Sequence, residues 1–214
     1  MNTESLTQPL PAPDFAGLLP TEADFVSRLF LEARTHGTFL DRPVDGALLR
    51  RIYDAARMGP TSMNSVPLRI VFVKSAEAKE RLRPTLMAGN VEKVLNAPVT
   101  AILAYDERFA DKMPTLFPAR PGIREVLASM PAEKRDFMLL QNASLQAAYF
   151  MLAARAYGLD VGPLGGFDRA AVDAAFLEGT GWKSIMLVNL GYGDRATLHP
   201  RLPRLAFDEA ARFA

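Results

Sequence analysis

A chain of 214 residues with 49% hydrophobic and 23% charged residues has enough apolar content to build one sizeable core. Its 25 basic and 24 acidic residues leave a formal charge of +1, which excludes the electrostatic footprint of a nucleic-acid binder. The absence of cysteine excludes disulfide and thiolate chemistry, and the two histidines, His36 and His199, provide no metal-ligand spacing.

The first basic residue is Arg28, so the N-terminus lacks the basic region of a secretory signal, and no apolar run is long enough to span a bilayer. The expected setting is therefore the cytoplasm, without a membrane. Residues 1–20, rich in Pro, Thr and Ser, read as a poorly ordered arm, and residues 21–214 as a single domain. Thr21-Glu-Ala-Asp24 has the form of a capping box, and Phe25, Leu29 and Ala33 follow at four-residue spacing, predicting a helix over 22–35 that ends at Arg34. A second helix is expected after Asp45, with Leu48, Leu49, Ile52, Ala55 and Ala56 on one face, stopping at Gly59-Pro60 and leaving Thr61 to Pro67 as loop.

Leu68 to Val73 reads as a strand, Ser75 as the cap of a helix running to about Met87, and Val99 to Ala104 as a second strand. From Tyr105 to Pro131 four prolines interrupt the pattern, which predicts a long irregular lid. Helix resumes over 132–157 on a stripe of Phe137, Leu140, Ser144, Ala147, Met151 and Ala154, and Gly158 closes it. The stretch Gly158 to Asp168 reads as a sharp loop whose adjacent Gly165 and Gly166 can press bare N–H groups against a ligand, with Asp168 capping the next helix. A strand over Ser184 to Leu190 and an extended tail with a short helix near Phe207 complete the chain. Few strands and many helices imply a layered αβ protein with a small sheet covered by helices.

Gly191-Tyr-Gly193-Asp-Arg-Ala196 matches the form of a dinucleotide fingerprint, but the chain left after it is too short for a βαβ unit and carries Pro200 and Pro203, so it reads as a tight turn. Arg34 and Arg201 each lie beside an element end, where a guanidinium can take a phosphate bidentately; a surface ion pair is the bland alternative. Ser62 and Asn64 offer donors and acceptors to a heterocycle, or serve as ordinary turn residues.

Arg34-Thr35-His36, Gly59-Pro-Thr-Ser-Met-Asn64, Asn90-Val-Glu-Lys93, Gly-Gly at 165–166 and His199-Pro-Arg-Leu-Pro203, in this order and spacing, resemble the nitroreductase family of FMN enzymes from about Leu29 onward. Within that family the chain is most similar to the malonic semialdehyde reductases of pyrimidine degradation. The resemblance implies an α+β nitroreductase fold in an interwoven homodimer, FMN at the subunit interface, and NADH or NADPH as hydride donor. It implies Arg34, Thr35, His36, His199 and Arg201 at the FMN phosphate, with His199 where a lysine is frequent, and Arg204 as a possible substitute cation. Pro60, Thr61, Ser62 and Asn64 would reach the flavin across the dimer, and Asn90, Lys93, Gly165 and Gly166 would meet its ring or ribityl chain.

Gly165 stands where many relatives have a glutamate, so the acceptor pocket loses a negative charge and suits an anionic substrate. The lid is expected to cover the acceptor pocket and contribute Phe117 or Arg124 to it, Arg124 as the cation for a substrate carboxylate. No protein group emerges as a catalytic acid, since the flavin carries the hydride. The expected activity is reduction of malonic semialdehyde to 3-hydroxypropionate. A broad nitro- or quinone-reductase, or a flavin-binding protein without an acceptor, are the alternatives.

Overall fold

The computed structural model describes residues 24–214. The expected N-terminal arm and the first three residues of the capping box lie outside this range. Four strands form one antiparallel sheet: β1 (Leu68–Val73), β2 (Val99–Asp106), β3 (Asp160–Leu164) and β4 (Trp182–Gly191), in spatial order β1-β2-β4-β3. The helices are α1 (Gly46–Ala56), α2 (Ala76–Leu82), α3 (Val91–Leu95), α4 (Met113–Leu116), α5 (Ile123–Ala128), α6 (Ala132–Ala156), α7 (Arg169–Val172) and α8 (Phe207–Ala210). Among the described residues no helix is long and apolar enough to cross a membrane.

The central strands β2 and β4 are buried almost throughout, and their alternation divides the core between the two sheet faces. Val99, Ala101, Leu103, Val188 and Leu190 pack with Leu49 and Ile52 of α1 and with Ala143, Ala147 and Phe150 of α6. Ile102, Ala104 and Leu187 face the other way, against Leu82, Val94, Val172 and Leu177. The sheet is thus covered by helices on both faces. Caps are where the sequence put them: the side chains of Asp45, Ser75 and Asp168 accept from the N–H groups of Ala47, Ala78 and Ala171 at 3.0, 3.1 and 3.0 Å.

Four expectations need correction. The first helix ends early, in a π-helical turn over Ser27–Leu31 with Glu32 as its C-cap, so Arg34 lies in an extended segment. Residues 160–164, expected in a loop, form β3, paired with β4 from Asp160↔Gly191 to Leu164↔Leu187. Gly162 and Pro163 disfavour a strand in the sequence, yet at a sheet edge Pro163 costs no ladder bond that an inner strand would need. The 105–131 segment is not irregular: Phe109, Ala110, Met113, Ile123 and Leu127 make a third small core with Leu139 of α6, α4 carries Pro114 in its first turn, where a proline is tolerated, and α5 lies between Pro121 and Pro131. The α6 stripe is also split. Ala147 and Ala154 are buried, whereas Phe137 and Leu140 are 67% and 43% exposed.

Candidate functional site

The strand missed in the sequence positions the N-terminal motif. Thr35 makes a parallel bridge to Val161 of β3, and the His36 N–H donates to the Val161 carbonyl at 3.1 Å. A Cβ at Gly162 would come within 2.3 Å of the His36 carbonyl oxygen, and one at Gly193 within 2.2 Å of its Nδ1. Glycine at both positions is what lets His36 sink to 3% exposure. Burial pushes its imidazole below the usual 6.5, against the opposing pull of Asp160, whose Oδ1 lies 3.5 Å from Nε2. His36 is therefore a floor residue, and its Nδ1 has no partner among the described residues.

Above it opens a cavity of about 670 Å³ in which five arginines, Arg28, Arg34, Arg155, Arg195 and Arg201, outnumber three carboxylates. Arg34 and Arg201, though distant in sequence, clasp each other's segments. Arg34 Nη2 donates to the His199 carbonyl, and Arg201 Nη2 donates to the carbonyls of Leu31 and Ala33, the latter at 3.0 Å. His199 contributes this carbonyl. Arg204 turns back onto the carbonyls of Leu202 and Pro203 and takes no part. Arg155 donates from Nη1 to the Leu29 carbonyl at 2.9 Å, while its buried Nε has no partner among the described residues. Burial and the neighbouring Arg201 hold the Arg155 guanidinium below its ordinary pKa, opposed by Asp160. Such a donor set, with unmatched positive charge, fits an anionic ester far better than a neutral group. Arg28, Arg155 and Arg195 escaped the sequence reading because no spacing ties them to one another.

A second group of expected residues converges around α3 and reaches the N-terminal segment at Gly37. Asn90 Nδ2 donates to the Gly166 carbonyl at 3.0 Å, Lys93 Nζ lies 3.4 Å from Asn90 Oδ1, and a Cβ on Gly37 would sit 3.8 Å from the Lys93 stem. A Cβ on Gly166 would meet Asn90 Nδ2 at 2.5 Å, whereas one on Gly165 would meet nothing within 4 Å. Gly165 thus borders open space, next to a tightly packed Gly166.

The Pro60–Asn64 loop is placed elsewhere in the chain. Its Ser62 N–H donates to Asn142 Oδ1 at 2.7 Å, Asn64 Nδ2 donates to the Leu116 carbonyl at 2.8 Å, and the Pro60 carbonyl accepts from Tyr149 at 3.1 Å. Thr61 Oγ1 accepts from the Val66 N–H. None of these bonds leads toward the arginine cavity. The loop carries Met63, Asn64 and Val66 at φ of 53°, 53° and 40°, and for a β-branched valine that is a strained backbone. Its anchors are the buried amides Asn142 and, through the Leu68 N–H at 2.9 Å, Gln146. Polar residues on an otherwise apolar helix face were the signal available for them.

Of the two lid residues, Phe117 is half-buried against the third core. Arg124 is paired with Asp111, at 2.7 Å from Nη2 and 3.1 Å from Nε, and lies 3.6 Å from Glu125.

A sequence model of the nitroreductase family matches residues 31–192. A protein of Stutzerimonas stutzeri strain A1501, named for NADH dehydrogenase/NAD(P)H nitroreductase activity, is 52% identical over 195 residues, covering 91% of this chain and 98% of its own. One from Stenotrophomonas maltophilia strain K279a with the same activity in its name is 53% identical over 193 residues, covering 90% and 97%. Among solved structures, an Exiguobacterium sibiricum nitroreductase in complex with FMN superposes with a TM-score of 0.78 at 22% identity, covering 95% of this chain and 98% of that one. With the family match spanning most of the chain and relatives above half identity over nearly their whole length, this chain belongs to the nitroreductase family.

Proposed function

We propose that this protein is an FMN-dependent NAD(P)H oxidoreductase whose acceptor is a small aldehyde, malonic semialdehyde being the specific candidate, reduced to 3-hydroxypropionate. The observation that carries the cofactor reading is the clasp of Arg34 and Arg201 at one wall of the cationic cavity, with the Asn90, Lys93 and Gly166 cluster reaching the same N-terminal segment at Gly37. The arginines suit a phosphate dianion, and the open face at Gly165 suits an isoalloxazine edge. FMN, when bound, supplies the hydride chemistry at its N5. The chain's own work is to hold the phosphate, to leave the Gly165 face free of any side chain, and to keep Asn90 and Lys93 at the edge of that face. The names of the relatives and the FMN complex of the Exiguobacterium protein support the same reading.

Purified protein should be yellow and release FMN, not FAD, on denaturation. Arg201→Ala should weaken FMN binding by about ten- to a hundredfold, the loss expected of a charged hydrogen bond. A colourless protein that cannot be reconstituted would overturn the assignment. For the acceptor, kcat/KM for malonic semialdehyde should exceed that for an uncharged aldehyde of similar reducibility, because the neutral Gly165 pocket carries no repelling carboxylate.

One observation favours the second reading, a nitro- or quinone-reductase of broad specificity. Arg124, the lid's candidate for a substrate carboxylate, is already matched by Asp111. If Arg124 exchanges Asp111 for the substrate, Arg124→Ala will shrink the preference for the charged aldehyde and spare nitroaromatic turnover. Equal rates for charged and neutral aldehydes, with faster nitroaromatic reduction, would establish the broad reductase instead.

A further inference from the structure

Lys79 is a lysine that the fold has taken inside. It sits on α2 at 5% exposure, and among the described residues all its partners are neutral: the carbonyls of Val94 and Ala97, the latter at 2.8 Å, and Thr100 Oγ1 at 2.9 Å. Burying an ammonium without a counter-charge is costly, and here the cost is offset by three hydrogen bonds to neutral acceptors, which an apolar side chain could not make. What it touches is the C-terminal end of α3. Val94 belongs to the last turn of that five-residue helix and Ala97 follows it. A helix this short does not hold its shape alone, and its last carbonyls need donors, which a cation also suits through the helix dipole.

The bonding continues past Lys79. The Thr100 hydroxyl accepts from Lys79 and donates to Asn189 Oδ1 at 2.7 Å; Asn189 Nδ2 donates to the Lys93 carbonyl at 2.9 Å. Thr100 and Asn189 are both fully buried, on paired strands β2 and β4. A closed polar path therefore ties α2 and both central strands to the main chain of α3 at residues 93 and 94 and to Ala97 just beyond it. At the other end of α3, Asn90 bonds the Gly166 carbonyl and Lys93 extends beside it.

We propose that Lys79, acting through Thr100 and Asn189, is a positioning residue that sets α3 so that Asn90 and Lys93 meet the flavin. This rests on the reading of Asn90 and Lys93 as flavin contacts. Lys79 itself touches neither side chain. Buried chains of this kind act cooperatively, so breaking the middle should loosen the end.

The test combines amide hydrogen exchange on the apo protein with FMN titration of Lys79→Met, Thr100→Val, Thr100→Ser, Asn90→Ala and Lys93→Ala. Lys79→Met and Thr100→Val should speed exchange across residues 91–96 and weaken FMN binding about three- to tenfold, as for one lost buried hydrogen bond, while Thr100→Ser, which keeps the hydroxyl, should restore both. Wild-type exchange in Lys79→Met and Thr100→Val would overturn the proposal whatever FMN does. Faster exchange with unchanged FMN affinity, when Asn90→Ala does weaken binding, would overturn the coupling and leave the flavin reading standing. Unchanged FMN affinity in both Asn90→Ala and Lys93→Ala would remove the flavin reading of α3, and the positioning role with it. Should Lys79→Met fail to fold, the Thr100 pair carries the same comparison.

Discussion

Lys79 also makes a pH prediction at the scale of one residue. Burial lowers its pKa from 10.5 to about 8. Below pH 8 the amine is charged in both the folded and unfolded chain, and the fold bears the desolvation cost. Between about 8 and 10.5 the folded protein has released a proton that the unfolded chain still holds, so this residue's contribution to stability rises with pH across that window and levels off above it. Glu80, Arg83, Glu92, Asp41, Arg42 and Lys74 line the surrounding cleft, so the background slope must be removed by comparison with Lys79→Met. Thermal unfolding at pH 7.5, 9 and 10 should show the wild type gaining on the variant as pH rises. A gap that is constant or moves the other way would contradict the depressed pKa. Nothing in the sequence marks Lys79, because on an exposed-looking helix a lysine is ordinarily solvated.

At the scale of elements, α6 does two jobs with one face. Ala143, Ala147 and Phe150 pack on the sheet, while Asn142 and Gln146 hold the loop over 62–68. Asn142 also donates to the Met138 carbonyl at 2.8 Å, so its amide is oriented before it meets Ser62. Asn142→Ala would leave the Ser62 N–H without its acceptor, which should cost about 1–3 kcal/mol. Because Met63, Asn64 and Val66 are already strained, the loop should yield first: denaturant unfolding should report the loss and limited proteolysis should cut within 60–66. Wild-type stability and an uncut loop would show that the anchor carries no load. Periodicity made α1, α6, β1, β2 and β4 legible, and the caps Asp45, Ser75 and Asp168 marked helix starts. β3 was not legible, because Gly162 and Pro163 are there for the approach of His36 and for an edge position, both of which are tertiary facts.

For the whole molecule, α6 leaves three large apolar side chains in the open on the single chain, Phe137, Leu140 and Leu145, at 67%, 43% and 43% exposure. Together with a Pro60–Asn64 loop bonded away from its own arginine cavity, this supports a homodimer in which the loop serves the partner's flavin. Sedimentation should give a dimer. Arg34→Ala and Asn64→Ala subunits mixed in one dimer should recover one intact site, since one site then has Arg34 and Asn64 both native. A monomer that retains FMN at low concentration, or a mixed dimer with no recovered binding, would refute the shared site.

By itself the sequence determined the class, the elements with clear periodicity, the family, and the identity of Arg34, Arg201, Asn90, Lys93 and the paired glycines as site candidates, because local pattern and residue chemistry are written in the chain. Only the tertiary structure decided which of them meet. It joined the Arg34 and Arg201 segments through the carbonyls of His199, Leu31 and Ala33, sank His36 under Gly193, matched Arg124 with Asp111, and buried Lys79 beneath α3. Each outcome depends on segments far apart in the chain being packed to within a hydrogen bond of one another, and spacing along a sequence holds no record of that distance.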